Sequence, residues 1–241
     1  VNACLQSIYR IPDVQKRYSA TEFIPENDID KSLHKIWETQ GKEGLKEFFE
    51  TVRTATMPAG QGIGDSHELL QYLCDKLKYL DELFRFKIAD SIECKACKTK
   101  EMKEDTIIEL SIVNDGKPQN LIGSIAEMMK PYPIDSWKCE KCNEKGCSKQ
   151  QLIGTFPRVL MIHKTSVSGK IEYPSILEIN KHQYALHAVT CFTGGHWFAF
   201  GRNSKNSSWH TLDDTRIVDH GPNKFPLAVT MRLLIYYRLD E

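Results

Sequence analysis

Eight cysteines stand at positions 4, 74, 94, 97, 139, 142, 147 and 191, and four of them form two Cys-x-x-Cys pairs, Cys94-Lys-Ala-Cys97 and Cys139-Glu-Lys-Cys142. Two intervening residues let a tight knuckle aim both sulfurs at one ion, and two knuckles complete a tetrahedral four-thiolate shell. The 41 residues between the pairs put the knuckles on distant hairpins of one ribbon rather than in a compact finger. A full shell, with no open position and no nearby base, makes Cys94, Cys97, Cys139 and Cys142 ligands of a structural zinc. An emptied remnant is the competing reading. A thioredoxin-type redox pair fits less well, because neither pair opens a helix after a strand. Cys147 could substitute as a ligand but falls outside the knuckle spacing. Cys4, Cys74 and Cys191 lie in apolar surroundings and read as small buried hydrophobes. The pattern suits a reducing compartment, cytosol or nucleus.

The second constellation is Gly194-Gly195-His196-Trp197, set between two apolar strands, with Asp213 and Asp214 directly after Trp209-His-Thr-Leu. A histidine on a glycine-hinged turn is held at a sheet edge, where its imidazole can face a cleft. A carboxylate there can accept the proton of one ring nitrogen and leave the other free as a base. Spacing alone leaves the plain alternative open, since Gly-His and a turn Asp-Asp are ordinary surface features. The histidines at 34, 67, 163, 182, 187, 210 and 220 are scattered and read as structural or solvated.

The elements that must carry these residues fall into two textures. Apolar residues recur at helical spacing from Val1 to Ile11, where Pro12 stops the run, and again over about Lys31 to Thr54 with a break at Gly41. Met57 to Gly64 is a glycine-rich loop, but no Gly-Lys-Ser/Thr follows, so it is no phosphate loop. Asp65-Ser-His-Glu68 reads as a capping box that opens a helix striped by Leu69, Leu73 and Leu77. After Leu83 come short β-like runs: Phe84–Ile88, Thr106–Ile112, Ile153–Phe156, Val159–His163, Ile176–Ile179, Tyr184–Phe192, Trp197–Gly201, Trp209–Leu212 and Leu233–Arg238. Helices first and mostly antiparallel strands after define the α+β class.

Composition narrows the function. The 241 residues hold 32 Lys plus Arg and 32 Asp plus Glu, so the formal net charge is zero, which disfavours a nucleic-acid or anionic-membrane binder. With 41% hydrophobic and 27% charged residues the chain can build a core. No apolar run approaches the roughly 20 residues of a membrane helix. The chain begins at Val1 rather than methionine, so either a segment was removed or the beginning was not included.

Five blocks, in order, resemble the catalytic domain of the ubiquitin-specific proteases, papain-like cysteine proteases that remove ubiquitin. Asn2-Ala-Cys-Leu-Gln-Ser-Ile-Tyr-Arg-Ile-Pro12 is similar to the first half of the family's nucleophile helix, after its Cys-Tyr-x-Asn signature. Asp65-Ser-His-Glu-Leu-Leu70 resembles the block that opens a helix beside the ubiquitin tail. The two cysteine pairs resemble the zinc ribbon at the tip of the fingers, and Phe156-Pro-Arg-Val-Leu-Met-Ile-His163 the strand entering the palm. Tyr184-Ala-Leu-His-Ala-Val189, Gly195-His196-Trp197 and Trp209-His-Thr-Leu-Asp213-Asp214 resemble the histidine box and the catalytic acid. The match covers nearly the entire chain.

The resemblance implies one thumb–palm–fingers domain over residues 1–241, with a helical thumb at about 1–83, fingers at 84–155 and the palm at 156–241. His196 becomes the general base, Asp213 its orienting acid, and Asp214 a polar auxiliary that assists the oxyanion or partly replaces Asp213. Asp65 becomes an acidic contact for the basic tail of ubiquitin, compatible with its capping role. Thr193–Gly195 and the stretch around Gly62–Gly64 are expected to border a narrow groove that admits a Gly-Gly terminus. Trp197 stands where the family usually carries Tyr. Short spacers between the blocks imply trimmed fingers and blocking loops, which leaves open the choice among ubiquitin, SUMO and related modifiers.

The resemblance also exposes a missing nucleophile. If Cys4 held that place, Leu5, Gln6 and Ser7 would have to fill the Tyr, x and Asn positions, and they do not. If Asn2 is the signature asparagine, Leu5, Gln6, Ile8, Tyr9, Ile11 and Pro12 fall into place, and the thiol belongs three residues before Asn2. Cys4 is then a core residue of that helix. Two classes of function follow: a deubiquitinase present here as a piece lacking its nucleophile, or an inactive ubiquitin-binding scaffold. In either case the chain as written is expected to be catalytically dead.

Overall fold

The computed structural model describes residues 2–56, 64–114, 116–166, 169–222 and 230–239. Six helices come first: α1 Asn2–Ile8, α2 Pro12–Tyr18, α3 Asp28–Glu38, α4 Leu45–Thr56, α5 Ser66–Lys76 and α6 Lys78–Phe84. Pro12 does not simply end the first run. It occupies the first turn of α2, where its missing N–H costs nothing. The long run around Gly41 resolves into α3 and α4, with Asn27 capping α3 by accepting from the backbone N–H groups of Ile29 and Asp30. The Leu69/Leu73/Leu77 stripe breaks at Leu77, which turns extended and hands the chain to α6.

Phe84 closes α6 rather than opening a strand, and only Arg85 separates it from β1 Phe86–Cys94. There follow β2 Lys100–Ile107, β3 Glu109–Ile112, β4 Gln119–Asn120, α7 Leu121–Met128, β5 Tyr132–Lys138 and β6 Lys145–Ile153. The expected Thr106–Ile112 strand is the end of β2 and all of β3, with only Ile108 between them. Of the expected strand at Ile153–Phe156 only Ile153, the last residue of β6, lies in a strand. Strands β2, β1, β6 and β5 form a four-stranded antiparallel sheet in that order, and it ends at the cysteine pairs.

The remaining strands are β7 Val159–Lys164, β8 Ile171–Glu172, β9 Ile176–Ile179, β10 His182–Thr193, β11 His196–Arg202, β12 Trp209–Asp213, β13 Arg216–Asp219 and β14 Met231–Arg238. The main sheet runs β13-β12-β11-β10-β14-β7-β3, with β9 on the first half of β10, and only β3–β7 pairs in parallel. Side chains alternate through it. Val159, Met161, Leu233 and Ile235 meet the helices on one face, while Leu160, Ile162, Leu234 and Tyr236 meet α7 and the 171–179 segment on the other. Burial on both faces is why Val159–His163 reads as an unbroken apolar run.

Helix α1 lies against the end of the sheet that carries β11 and β12. Ala3, Trp197, Ala199 and Leu212 form a small cluster there. At Gly201 an added Cβ would sit 2.8 Å from a Leu212 methyl and 3.0 Å from Arg10 Cγ, so glycine lets the chain after α1 close on the sheet.

Candidate active site and metal centre

The hairpin between β10 and β11 pairs Thr193 with His196 around Gly194 and Gly195, which have φ of 57° and 80°. A two-residue turn with both residues left-handed follows the natural twist of a hairpin, and glycine takes it without steric cost. The next hairpin pairs Asp213 with Arg216, and Asp214 starts its turn at φ 50°. Because β11 and β12 are neighbours, the two turns converge, and His196 Nε2 lies 2.6 Å from Asp213 Oδ1. With Nε2–H given to Asp213, Nδ1 carries the lone pair. His196 is exposed and Asp213 half-buried, so the pair opens to solvent.

Asp214 stays beside the dyad, with a carboxylate oxygen within 4.8 Å of a His196 ring nitrogen and an Asp213 oxygen. Its carboxylate accepts from Asn2 Nδ2 at 2.8 Å and its carbonyl from Gln6 Nε2 at 3.0 Å, which ties α1 to the turn next to the dyad. About half a turn beyond Asn2 on α1, Cys4 is 2% exposed, and burial pushes its thiol up to about 12. Such a thiol is an inert core group. Cys74, Cys147 and Cys191 are buried as well, and the other four cysteines belong to the ribbon.

Asp65 caps α5, accepting from the His67 backbone N–H at 2.8 Å. Its free oxygen lies 3.9 Å from the Arg232 guanidinium, so the carboxylate is oriented but partly open. Gly64 borders this cap, whereas Gly62 and the rest of the glycine-rich loop lie outside the described residues.

At the far end of the small sheet Cys94, Cys97, Cys139 and Cys142 bring their sulfurs within 4.8 Å of one another. Both knuckles fold alike. The Lys98 N–H donates to Cys94 O and the Asn143 N–H to Cys139 O, and Lys98 and Asn143 share a left-handed φ near 60°. Cys94–Cys142 and Cys97–Cys139 stand 3.7 Å apart. A tetrahedron with 2.3 Å metal–sulfur bonds has edges of about 3.8 Å, so the thiols have zinc spacing. Cys147 pairs across the strands with Cys94 but stays outside the set.

Residues 1–236 match the family described as ubiquitin carboxyl-terminal hydrolase. The chain belongs to that family. Relatives include ubiquitin carboxyl-terminal hydrolase 4 of Vanderwaltozyma polyspora, 22% identical over 71% of this chain, and ubiquitin carboxyl-terminal hydrolase 47 of Drosophila melanogaster, 22% identical over 75%. The chain spans 24% and 14% of the length of those two proteins. Among solved structures, Ubp8 of the SAGA DUB module with Sgf11, Sus1 and Sgf73, bound to monoubiquitin, superposes with a TM-score of 0.83. That match is 17% identical and covers 99% of this chain and 66% of the other. The same module bound to ubiquitin aldehyde gives 0.80. The α+β architecture is therefore the ubiquitin-specific protease fold.

Within the hydrolase fold, two groups went unread in the sequence. Asn2 and Gln6 bond to Asp214 across more than 200 positions, and of the two Asn2 alone stands at a position of the family signature. His67, Glu109 and His163 meet where α5, β3 and β7 come together. His67 Nε2 hydrogen-bonds Glu109, and the two imidazoles stack with centroids 3.7 Å apart. Burial would raise the Glu109 carboxyl, but the neighbouring His163 imidazole, the His67 hydrogen bond and charge and the Ser111 hydroxyl outweigh it and hold it at about 2. Trp197 packs on Phe192 with ring centroids 4.8 Å apart. Among the described residues no helix is long and apolar enough to cross a membrane.

Proposed function

We propose that this chain is the catalytic region of a deubiquitinase, which hydrolyses the isopeptide or peptide bond after ubiquitin's terminal glycine. The observation that carries the reading is the His196–Asp213 contact of 2.6 Å beside an α1 tied down by Asn2 and Asp214. Asp213 holds the Nε2–H tautomer, and Nδ1 takes the proton of a thiol and later protonates the leaving lysine amine. Asp214 positions α1, and with it any group at the head of that helix. Asp65 reads the basic ubiquitin tail through a charge-assisted contact. The four cysteines hold one structural zinc, which fixes the tip of the fingers and takes no part in the reaction. Eight free cysteines fit a reducing compartment, cytosol or nucleus.

A second reading, a ubiquitin-binding scaffold, rests on the cysteines. All eight are either buried or committed to the ribbon, so none is an accessible thiol for His196. Both readings expect the 241-residue chain to bind monoubiquitin in calorimetric titration and to leave a fluorogenic ubiquitin substrate uncleaved. Absence of binding would remove both. Turnover by this chain would overturn the assignment of Cys4 to the core and make it the nucleophile.

A further inference from the structure

His67, Glu109 and His163 come from three different elements, yet one donor atom of each lies within 4.8 Å of the others. Their side chains are only 11–14% exposed. His67 Nε2 contacts Glu109 Oε2, and the Ser111 hydroxyl donates to Glu109 Oε1 at 3.0 Å, orienting the carboxylate from behind. His163 is less well served. Its Nδ1 stands 3.7 Å from Glu109 Oε1, beyond normal hydrogen-bond reach, and its buried Nε2 has no partner among the described residues.

We propose that His67, Glu109 and His163 form a second metal site, separate from the cysteine ribbon, for a divalent transition ion of the zinc class. Two imidazoles and one carboxylate are a zinc donor set that leaves one position for water or another ligand. Two nitrogens among three donors disfavour magnesium and calcium, which seek oxygen. Loading replaces the proton shared by His67 Nε2 and Glu109 with the ion and releases that proton to solvent. The stacked rings, now 19° from parallel, tilt so that their lone pairs converge. Tetrahedral zinc with nitrogen and oxygen ligands needs donor separations of about 3.4 Å, so the His163–Glu109 gap closes by a few tenths of an ångström and the hydrogen-bonded His67–Glu109 contact opens to the same length. The ion joins α5 to β3 and β7 two residues beyond Asp65.

The test counts metal and needs no catalysis. The purified chain is equilibrated with zinc salt, desalted and analysed for zinc per chain. Two equivalents are expected in the wild type, one in each site. One is expected in His67→Gln and in His163→Ala, where the retained ribbon equivalent shows that the variant is folded. With cobalt(II), the second equivalent should add d–d absorption without thiolate charge transfer, and Glu109→Gln should weaken that increment at least tenfold. A single equivalent in the wild type, or a second one that survives in the His67→Gln/His163→Ala double variant, overturns the proposal.

Discussion

Asp65 caps α5, and the recognition role proposed for it can be separated from that cap. Asn caps a helix about as well as Asp, so Asp65→Asn keeps the bond to the His67 N–H while removing the charge. If the carboxylate meets a basic ubiquitin tail, that change should weaken ubiquitin binding about tenfold, the scale of one charge-assisted hydrogen bond. Thermal stability should stay within a degree or two of wild type. Equal affinity of the two proteins by calorimetry would leave Asp65 as a cap alone. His187 makes a separate residue-level prediction. Burial in β10 beside Tyr237, and then the Arg202 charge, push its pKa down from 6.5 to about 4. Above pH 6.5 the ring is neutral in both states and contributes nothing. As pH falls from 6.5 towards 4 the unfolded chain takes up a proton that the folded chain refuses, so stability drops by about 3 kcal/mol. Urea unfolding at stepped pH should show this decline, and His187→Phe should flatten it. Both residues lay in recognisable blocks, Asp65 in Asp65–Leu70 and His187 in Tyr184–Val189, but nothing in the second block set His187 apart. His187 looked like any histidine until two sheet faces closed over it.

Among the elements, legibility followed the source of the stability. Strands β7, β10 and β14 are buried on both faces and announced themselves as apolar runs. Strands β2 and β5 have no buried residue, and their sequences, Lys100–Ile107 and Tyr132–Lys138, show no alternation to find. The cysteine pairs were still readable, because an ion dictates its ligand spacing whatever surrounds it. The same contrast predicts behaviour. With so little apolar surface in β2 and β5, the outer half of the small sheet should depend on the zinc proposed for its four cysteines, since the binding energy of a structural zinc is folding energy. A strong chelator should therefore abolish hydrogen-exchange protection over residues 94–106 and 132–149 and leave it intact over 159–164, 184–191 and 231–238. Uniform loss across both sheets would show that the ribbon supports the entire chain instead. The groups that could not be read, Asn2 with Asp214 and His67 with Glu109 and His163, are assembled from elements far apart in sequence. Only strand order brings them together.

At the scale of the whole molecule, the helical layer and the main sheet share one core, and the site sits on its rim. Leu73 is fully buried in α5 within the cluster that also holds Leu5, Met161 and Leu233. Leu73→Ala should cost about 3 kcal/mol, in the usual range for an emptied leucine site. A shifted urea midpoint with an unchanged slope would show that helices and sheet unfold as one unit. The attachment of the small sheet has a mechanical meaning. Only Arg85 separates it from α6 and only Ile108 from β3, and where β6 leaves it Gly154 and Thr155 are laced to Lys87 by three hydrogen bonds. A projection rooted so tightly cannot swivel freely. It works as a cantilever, and a push on the cysteine tip arrives at Glu109, the first residue past the Ile108 joint, as torque. Anything gripped by the far end of this molecule is therefore felt, with little slack, at the strand that anchors α5.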